Sequence, residues 1–145
     1  MTLNWKIIGL VFAGGALGTL LRLGVSFGLD SFTSLATVNV IGSAVLGWLN
    51  SDPRFASTGK RAFWAIGFSG GFTTMSSVAL LTAGGIVMLA SAGASVDFAQ
   101  VAQFFGLIIA IFAASLLAYW GAHALTARLT GNSAVVSHEV EEVTE

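Results

Sequence analysis

No cysteine occurs among the 145 residues, which excludes disulfides, thiolate-held metals and cysteine nucleophiles. Charge is the second scarcity. Six lysines and arginines and seven aspartates and glutamates make up 9% of the chain and leave a net charge of -1. That is too little basic surface to hold DNA or RNA, and far below the roughly one quarter of charged residues in a water-soluble domain. Apolar residues fill the gap, at 55% of the chain with a mean hydropathy of +0.86. The few charges are also clustered, leaving uncharged runs of 21 residues at 31–51, 35 at 62–96 and 30 at 98–127. Each run meets or exceeds the ~20 residues that cross the hydrocarbon of a bilayer. The chain reads as an all-α membrane protein.

The first apolar stretch covers residues 5–27, with Lys6 at its start and Arg22 near its far end. It outruns the ~7–15-residue core of a cleavable signal, so it reads as one tilted transmembrane helix. Asp30, Ser31 and Ser34 mark a short loop before a second span at 35–49. Asn50, Ser51, Asp52 and Pro53 stop that span, because proline lacks an N–H and restricts the residue before it. The loop 52–61 is the most polar of the chain and is expected to carry most of its exposed surface. The third stretch, 62–90, is too long for one straight crossing and holds Gly67, Gly70, Gly71, Thr73 and Thr74 in its first half. A break at 70–74 is expected. Non-helical backbone inside a bilayer needs protein or a water-lined cavity around it, so the break predicts a polar site at mid-membrane depth. Asp97 closes the next loop, and 98–125 forms a fourth helix interrupted only by Gln100, Gln103, Ser115 and His123. Residues 130–145, with four glutamates, read as a flexible acidic tail. The organisation is therefore a single domain of four transmembrane helices over 1–129, the third helix broken mid-membrane, followed by the tail.

Eighteen glycines are well above the usual ~7%. Gly14 and Gly18, and Gly67 and Gly71, stand four residues apart, a spacing that lets helix backbones approach closely where lipid removes the hydrophobic drive to associate. Four short helices enclose little interior, which favours a dimer. Thr37, Asn39, Ser43, Thr73, Thr74, Ser76, Ser77, Thr82 and Ser115 are the polar residues of the spans, and none is charged. A proton-coupled transporter needs a titratable group in the membrane, yet every carboxylate lies in an expected loop or in the tail. Hydroxyls and an amide can donate to a small anion without adding a charge that would trap it. A single hydroxyl such as Thr82 or Ser115 is expected to bond the carbonyl one turn back. Asn39 differs, because an unpaired amide in apolar surroundings is costly; it is expected to face protein or a pore.

Three segments are more specific: Gly14-Gly15-Ala16-Leu17-Gly18-Thr19-Leu20-Leu21-Arg22, Val38-Asn39-Val40-Ile41-Gly42-Ser43, and Gly67-Phe68-Ser69-Gly70-Gly71-Phe72-Thr73-Thr74-Met75-Ser76-Ser77. Together they resemble the Fluc (CrcB) family of fluoride channels, across residues 3–129. The resemblance implies a four-helix subunit of the inner (plasma) membrane that pairs antiparallel with a second subunit. It implies passive, fluoride-specific export that lowers cytoplasmic fluoride toxicity, with no enzyme chemistry. The family's pore-lining asparagine maps to Asn39, and its ion pathway to Ser43, Met75, Ser76, Ser77, Val78 and Ser115. The arginine ending the first motif maps to Arg22, for which a snorkelling helix-end charge is the simpler alternative. The break is similar to the family's buried sodium site, whose backbone carbonyls match Gly70 and Thr73; oxygen ligands suit that hard cation. One departure stands out. After the paired threonines the family usually reads Phe-Ser-Thr-Phe, whereas this chain has Met75-Ser76-Ser77-Val78, and neither methionine nor valine presents the positive ring edge of an aromatic.

With four spans, Lys6, Arg54, Lys60, Arg61 and Arg128 collect on one side and Arg22 alone on the other. Positive charge is retained inside, which places both termini in the cytoplasm. A fixed orientation and two missing rings together point to half of a heterodimer, whose partner is a paralogue inserted the other way; a homodimer is the alternative. Two other functions compete. One is a non-conducting structural or regulatory subunit of such a channel. The other is a four-helix drug exporter, for which the membrane-embedded glutamate is missing.

Overall fold

The computed structural model of the chain describes residues 4–91, 93 and 97–143, excluding the side chains of 75, 76, 79, 81, 82, 90 and 132–143. All regular structure among the described residues is helical. Helix α1, Trp5–Gly28, starts at Asn4, whose Oδ1 accepts the Ile7 N–H at 3.4 Å. Helix α2, Ser31–Ser51, starts at Asp30, whose Oδ1 accepts the N–H groups of Phe32 at 3.1 Å and Thr33 at 3.0 Å. Both caps take N–H groups that the first turn leaves without partners. The Thr33 side chain and N–H hold the Asp30 carboxyl below its ordinary range.

Asp52 ends α2 through its N–H to Trp48 O at 3.1 Å and opens a 3-10 turn, Pro53–Phe55. Its carboxylate accepts the Arg54 N–H at 2.9 Å and the Arg54 guanidinium at distances down to 2.6 Å. Those bonds bury Asp52 to 3% exposure while Arg54 stays in solvent. The Arg54 guanidinium keeps the Asp52 carboxyl low, as a charged hydrogen-bond donor must. The loop is thus polar as expected, but its first carboxylate is an internal staple and not exposed surface.

Beyond the loop, helical backbone runs from α3, Thr58–Lys60, through a π-helical stretch, Arg61–Phe68, into α4, Ser69–Phe72. The wider π winding shows in the Ser69 N–H, which reaches back five residues to Trp64 O. Thr73 then turns extended, with φ -79° and ψ 153°, and helix α5, Met75–Ser91, resumes after residue 74. The expected break is present. Helix α6, Phe98–Val143, continues well past residue 125 and through the acidic segment after 129, which holds no proline to stop it. Three helical stretches, Trp5–Gly28, Ser31–Ser51 and Phe98–Gly131, are long and apolar enough to cross a membrane as single rods. The interrupted stretch from Thr58 to Ser91 is divided into shorter pieces.

Contacts fix the helix directions. A Cβ on Gly14 would strike the Phe63 carbonyl and one on Gly18 the Phe68 carbonyl, while Gly67 and Gly71 face Val11 and Gly15. Residue numbers rise together on both sides, so α1 and the segment 61–72 lie parallel, backbone against backbone. Thr19 adds a hydroxyl bond to Gly71 O at 3.4 Å. Gly47 likewise packs on the Tyr119 carbonyl, which seats α2 directly against α6. Against 72–74, α2 is antiparallel, since Asn39 meets Thr74 whereas Gly42 meets Phe72 and Thr73.

The usual distribution of polarity is inverted. Trp5, Phe12, Phe27, Leu80, Met88 and Phe98 point outward, the last at 87% exposure, while Ser34, Asn39, Ser69, Thr74 and Ser115 are buried. An apolar exterior around a polar interior suits lipid outside and a hydrophilic path within.

Gly18→Ala should lower the thermal midpoint in detergent by the equivalent of about 1–3 kcal/mol, because the new methyl has only backbone to displace. Gly24→Ala, facing open space, should leave it unchanged or raise it slightly. Equal midpoints for the two variants would show that the close glycine contact does not hold these helices together.

Candidate functional site

Asn39 is the ninth residue of α2, about 12 Å along the helix from Ser31 at the ~1.5 Å rise per residue. It is 2% exposed. Its Nδ2 donates to Leu35 O at 2.8 Å and to Thr74 O at 3.0 Å, and its Oδ1 accepts the Thr74 N–H at 2.9 Å. One side chain therefore closes on both polar groups of a residue in the broken strand. The expectation that Asn39 faces protein or a pore holds in its first form, with both amide hydrogens already engaged by carbonyls.

The break is organised around this clamp. In a continuous helix the carbonyls of Gly70 and Thr73 would receive the N–H groups of Thr74 and Ser77. The Thr74 N–H goes to Asn39, and the Ser77 N–H goes to Thr74 Oγ1 at 3.3 Å. Thr74 Oγ1 also pairs with Ser77 Oγ at 2.8 Å, capping α5 from its first turn. The N–H groups that the Gly70 and Thr73 carbonyls would receive in a continuous helix are therefore turned to other acceptors.

Two cavities meet this region. The larger, about 680 Å³, is lined by Thr19, Arg22, Ser26, Ser34, Thr74 and Ser77 among others, and opens toward the α1–α2 turn. The smaller, about 240 Å³, is lined by Asn39, Ser43, Leu46, Thr73, Phe112, Ser115, Leu116 and Tyr119. Thr74 borders one and Thr73 the other, so the clamped break stands between them.

Ser115 is buried, and its Oγ has no hydrogen-bond partner among the described residues. The expectation that its hydroxyl bonds the carbonyl one turn back is overturned. Thr73, Thr126 and Ser51 do satisfy themselves that way, at 2.9, 2.8 and 3.1 Å. Ser115 instead lines the small cavity, where it shares the wall with Asn39, Ser43 and Thr73. A buried hydroxyl without a partner costs about 1–3 kcal/mol unless something in the cavity receives it.

The structure thus gathers Asn39, Ser43, Thr73 and Ser115 at one cavity and Arg22 with Ser77 at the other. Arg22 lines polar space as well as ending an apolar run. Val78 is buried and borders neither of these two cavities. The side chains of Met75 and Ser76, named in the expected ion pathway, lie outside the described residues, as does that of Thr82. Sequence reasoning missed Thr74 as the partner of Asn39 and Tyr119 as a cavity wall. No local signal links residues 35 apart. Tyr119, by contrast, follows Ser115 by one helical turn and was open to discovery by spacing.

Comparison with known proteins follows this geometry. The family model described as CrcB-like protein, Camphor Resistance (CrcB), matches residues 9–123. The chain is 42% identical over 71 residues to the fluoride-specific ion channel FluC 1 of Corynebacterium glutamicum, covering 48% of this chain and 65% of that protein. It is 43% identical over 81 residues to FluC of Parabacteroides distasonis, covering 50% and 63%. These two matches span just under two thirds of the relatives' lengths. With FluC 2 of Leifsonia xyli subsp. xyli the identity is 36% over 126 residues, covering 80% of this chain and 82% of the relative. No solved structure matches. A family match across residues 9–123 that takes in the glycine-packed first helix, Asn39 and the broken segment places this chain in the CrcB family.

Proposed function

We propose that the chain is one subunit of a fluoride-specific channel of the cell's inner membrane, which lets fluoride leave passively and so lowers its toxicity. Relatives that bear this activity in their names support the reading. The observation that carries it is the small cavity, in which Asn39, Ser43 and Ser115 converge without a carboxylate, with one buried hydroxyl unpartnered. Uncharged donors at a dry site can replace the hydration of a small anion without holding it too tightly to leave. Arg22 beside the large cavity adds a positive charge that favours anions on one approach. No bond to the substrate is made or broken, and no enzyme chemistry is needed.

The reading has the interrupted segment as the third of four crossings. The parallel run of α1 with 61–72, and the antiparallel run of α2 with 72–74, support that alternation of direction. Its break then lies at mid-membrane depth, beside Asn39. The carbonyls of Gly70 and Thr73 are the residues proposed to hold sodium at the interface of two antiparallel subunits. Bound there, sodium would supply positive charge that the carbonyls of Gly70 and Thr73 hold.

The partner is proposed to be a paralogue of opposite orientation. Numbered relatives, FluC 1 and FluC 2, support paired subunits. So does the absence of phenylalanine at Met75 and Val78. Five cations, Lys6, Arg54, Lys60, Arg61 and Arg128, support a single orientation with both termini in the cytoplasm.

Liposomes holding this chain with its paralogue should release fluoride and retain chloride, while the chain alone is expected to be nearly silent. Selective efflux from the chain alone would replace the heterodimer by a homodimer, and silence of both preparations would favour a non-conducting subunit. A reporter fused after Glu145 should signal from the cytoplasmic side only; substantial signal from both sides would remove the fixed orientation.

Asn39→Asp should abolish efflux in the working pair, because a carboxylate would face the carbonyls of Leu35 and Thr74 that now receive its two amide hydrogens. A loss of tenfold or more is expected, since a buried charge set against two carbonyls, with only the Thr74 N–H to donate to it, is among the costliest substitutions. Efflux within twofold of the parent would end the proposal that this clamp shapes the ion path.

A further inference from the structure

Two cations stand together where the polar loop re-enters the apolar chain. Lys60 and Arg61 are adjacent and exposed, and the uncharged run of 35 residues begins at the next position. The loop holds Lys60 in place. Its Nζ donates to Arg54 O at 2.8 Å and lies 6.0 Å from the centroid of the Phe55 ring, which is in turn edge-on to Trp48 at 5.4 Å. An ammonium has three N–H donors, so others stay available. The Arg61 guanidinium makes no hydrogen bond or ion pair among the described residues. Asp52, the sole carboxylate of this loop, is already neutralised by Arg54 at 2.6 Å. The two positive charges at 60 and 61 are therefore uncompensated within the loop. Lys6 brings a third to the same membrane face, since it precedes Leu10 by one turn of α1 and a Cβ on Gly59 would stand 3.4 Å from Leu10 Cδ1. Helix α6 carries Glu139, Glu141 and Glu142 roughly 16 Å or more past Arg128 along its axis, about two screening lengths.

We propose that Lys60 and Arg61, with Lys6 on the same face, form a binding site for the headgroup of an anionic phospholipid whose acyl chains lie along Trp64 and Ile66. The surface around the charges selects a lipid over a dissolved anion. A free phosphate needs the cations alone, whereas here they end directly on exposed apolar side chains, Trp64 and Ile66. Trp64 is steadied by Phe63 and Phe68, with ring centroids at 4.9 and 5.5 Å, and its amphipathic ring suits the boundary between headgroups and hydrocarbon. The planar guanidinium matches two phosphate oxygens at once, and the ammonium beside it is a compact point charge. Because the loop already fixes Lys60, less side-chain freedom is lost when the headgroup arrives.

The inference does not depend on which ion the chain carries, and its test is independent of transport. Full-length chain in neutral detergent is titrated with short-chain phosphatidylglycerol, a setting in which membrane orientation plays no part. The thermal midpoint should rise saturably. Phosphatidylcholine of equal chain length should not raise it, and neither should glycerol phosphate, which has the charge without the tails. Lys60→Gln and Arg61→Gln should each raise the half-saturating concentration about fivefold, the worth of one cation at an anionic lipid surface. Lys60→Arg should keep the parental value, and so should Arg128→Gln, whose cation sits on a separate helix. Native mass spectrometry of the parent chain should show phosphatidylglycerol retained in preference to phosphatidylcholine, a readout that needs no variant to fold. Equal response to, or equal retention of, the two lipids would overturn the headgroup site. An equal response to glycerol phosphate would replace the lipid by a free anion. Unchanged half-saturation in both glutamine variants, or an equal loss in Arg128→Gln, would reduce the site to diffuse attraction and end the proposal.

Discussion

An interrupted helix buried against its neighbours must give its freed N–H and C=O groups to something other than water, and in this protein Asn39 pairs with those of Thr74. Its amide matches a peptide group edge to edge, accepting from the Thr74 N–H and donating to the Thr74 carbonyl. A third bond to Leu35 ties that side chain to its own helix. A buried backbone group that loses its partner costs about 1–3 kcal/mol, and the clamp answers that cost at Thr74. The break and the cavities on either side of it depend on this one side chain.

Close helix packing makes the clamp possible. Asn39 can reach Thr74 only if 61–72 lies tight between α1 and α2, and the glycines at 14, 18, 67 and 71 remove the side chains that would hold it off. In lipid there is little hydrophobic reward for bringing helices together, so close backbone contact supplies the attraction instead. The small residues and the polar site are parts of the same arrangement. Glycine permits the approach, and the approach delivers a backbone break to an amide.

Donor bookkeeping then separates residues that shape the path from residues able to touch an ion. Asn39 has both amide hydrogens committed, and Thr73 returns its hydroxyl to Ser69. Ser115 is uncommitted among the described residues. A polar residue on a cavity wall is therefore not automatically a ligand. What matters is whether local backbone has already taken its proton.

Composition and charge spacing were enough to read an all-helical membrane protein with polar residues inside, because lipid imposes long uncharged runs whatever the topology. The glycine pairs and the break at 70–74 were also legible, since both rest on local chemistry: small residues four apart, and glycines and threonines where a helix should continue. Asn39 could be singled out because an amide in an apolar span must be paired. Its partner could not, for Thr74 lies 35 residues away and only packing brings them together. The same limit misled the reading of Ser115, whose local option of bonding one turn back was available and not taken. Asp52, expected on an exposed loop, became buried because Arg54 folds over it. Local chemistry fixes which groups need partners; the tertiary structure decides who supplies them, because partners distant in sequence meet only through the packing of helices.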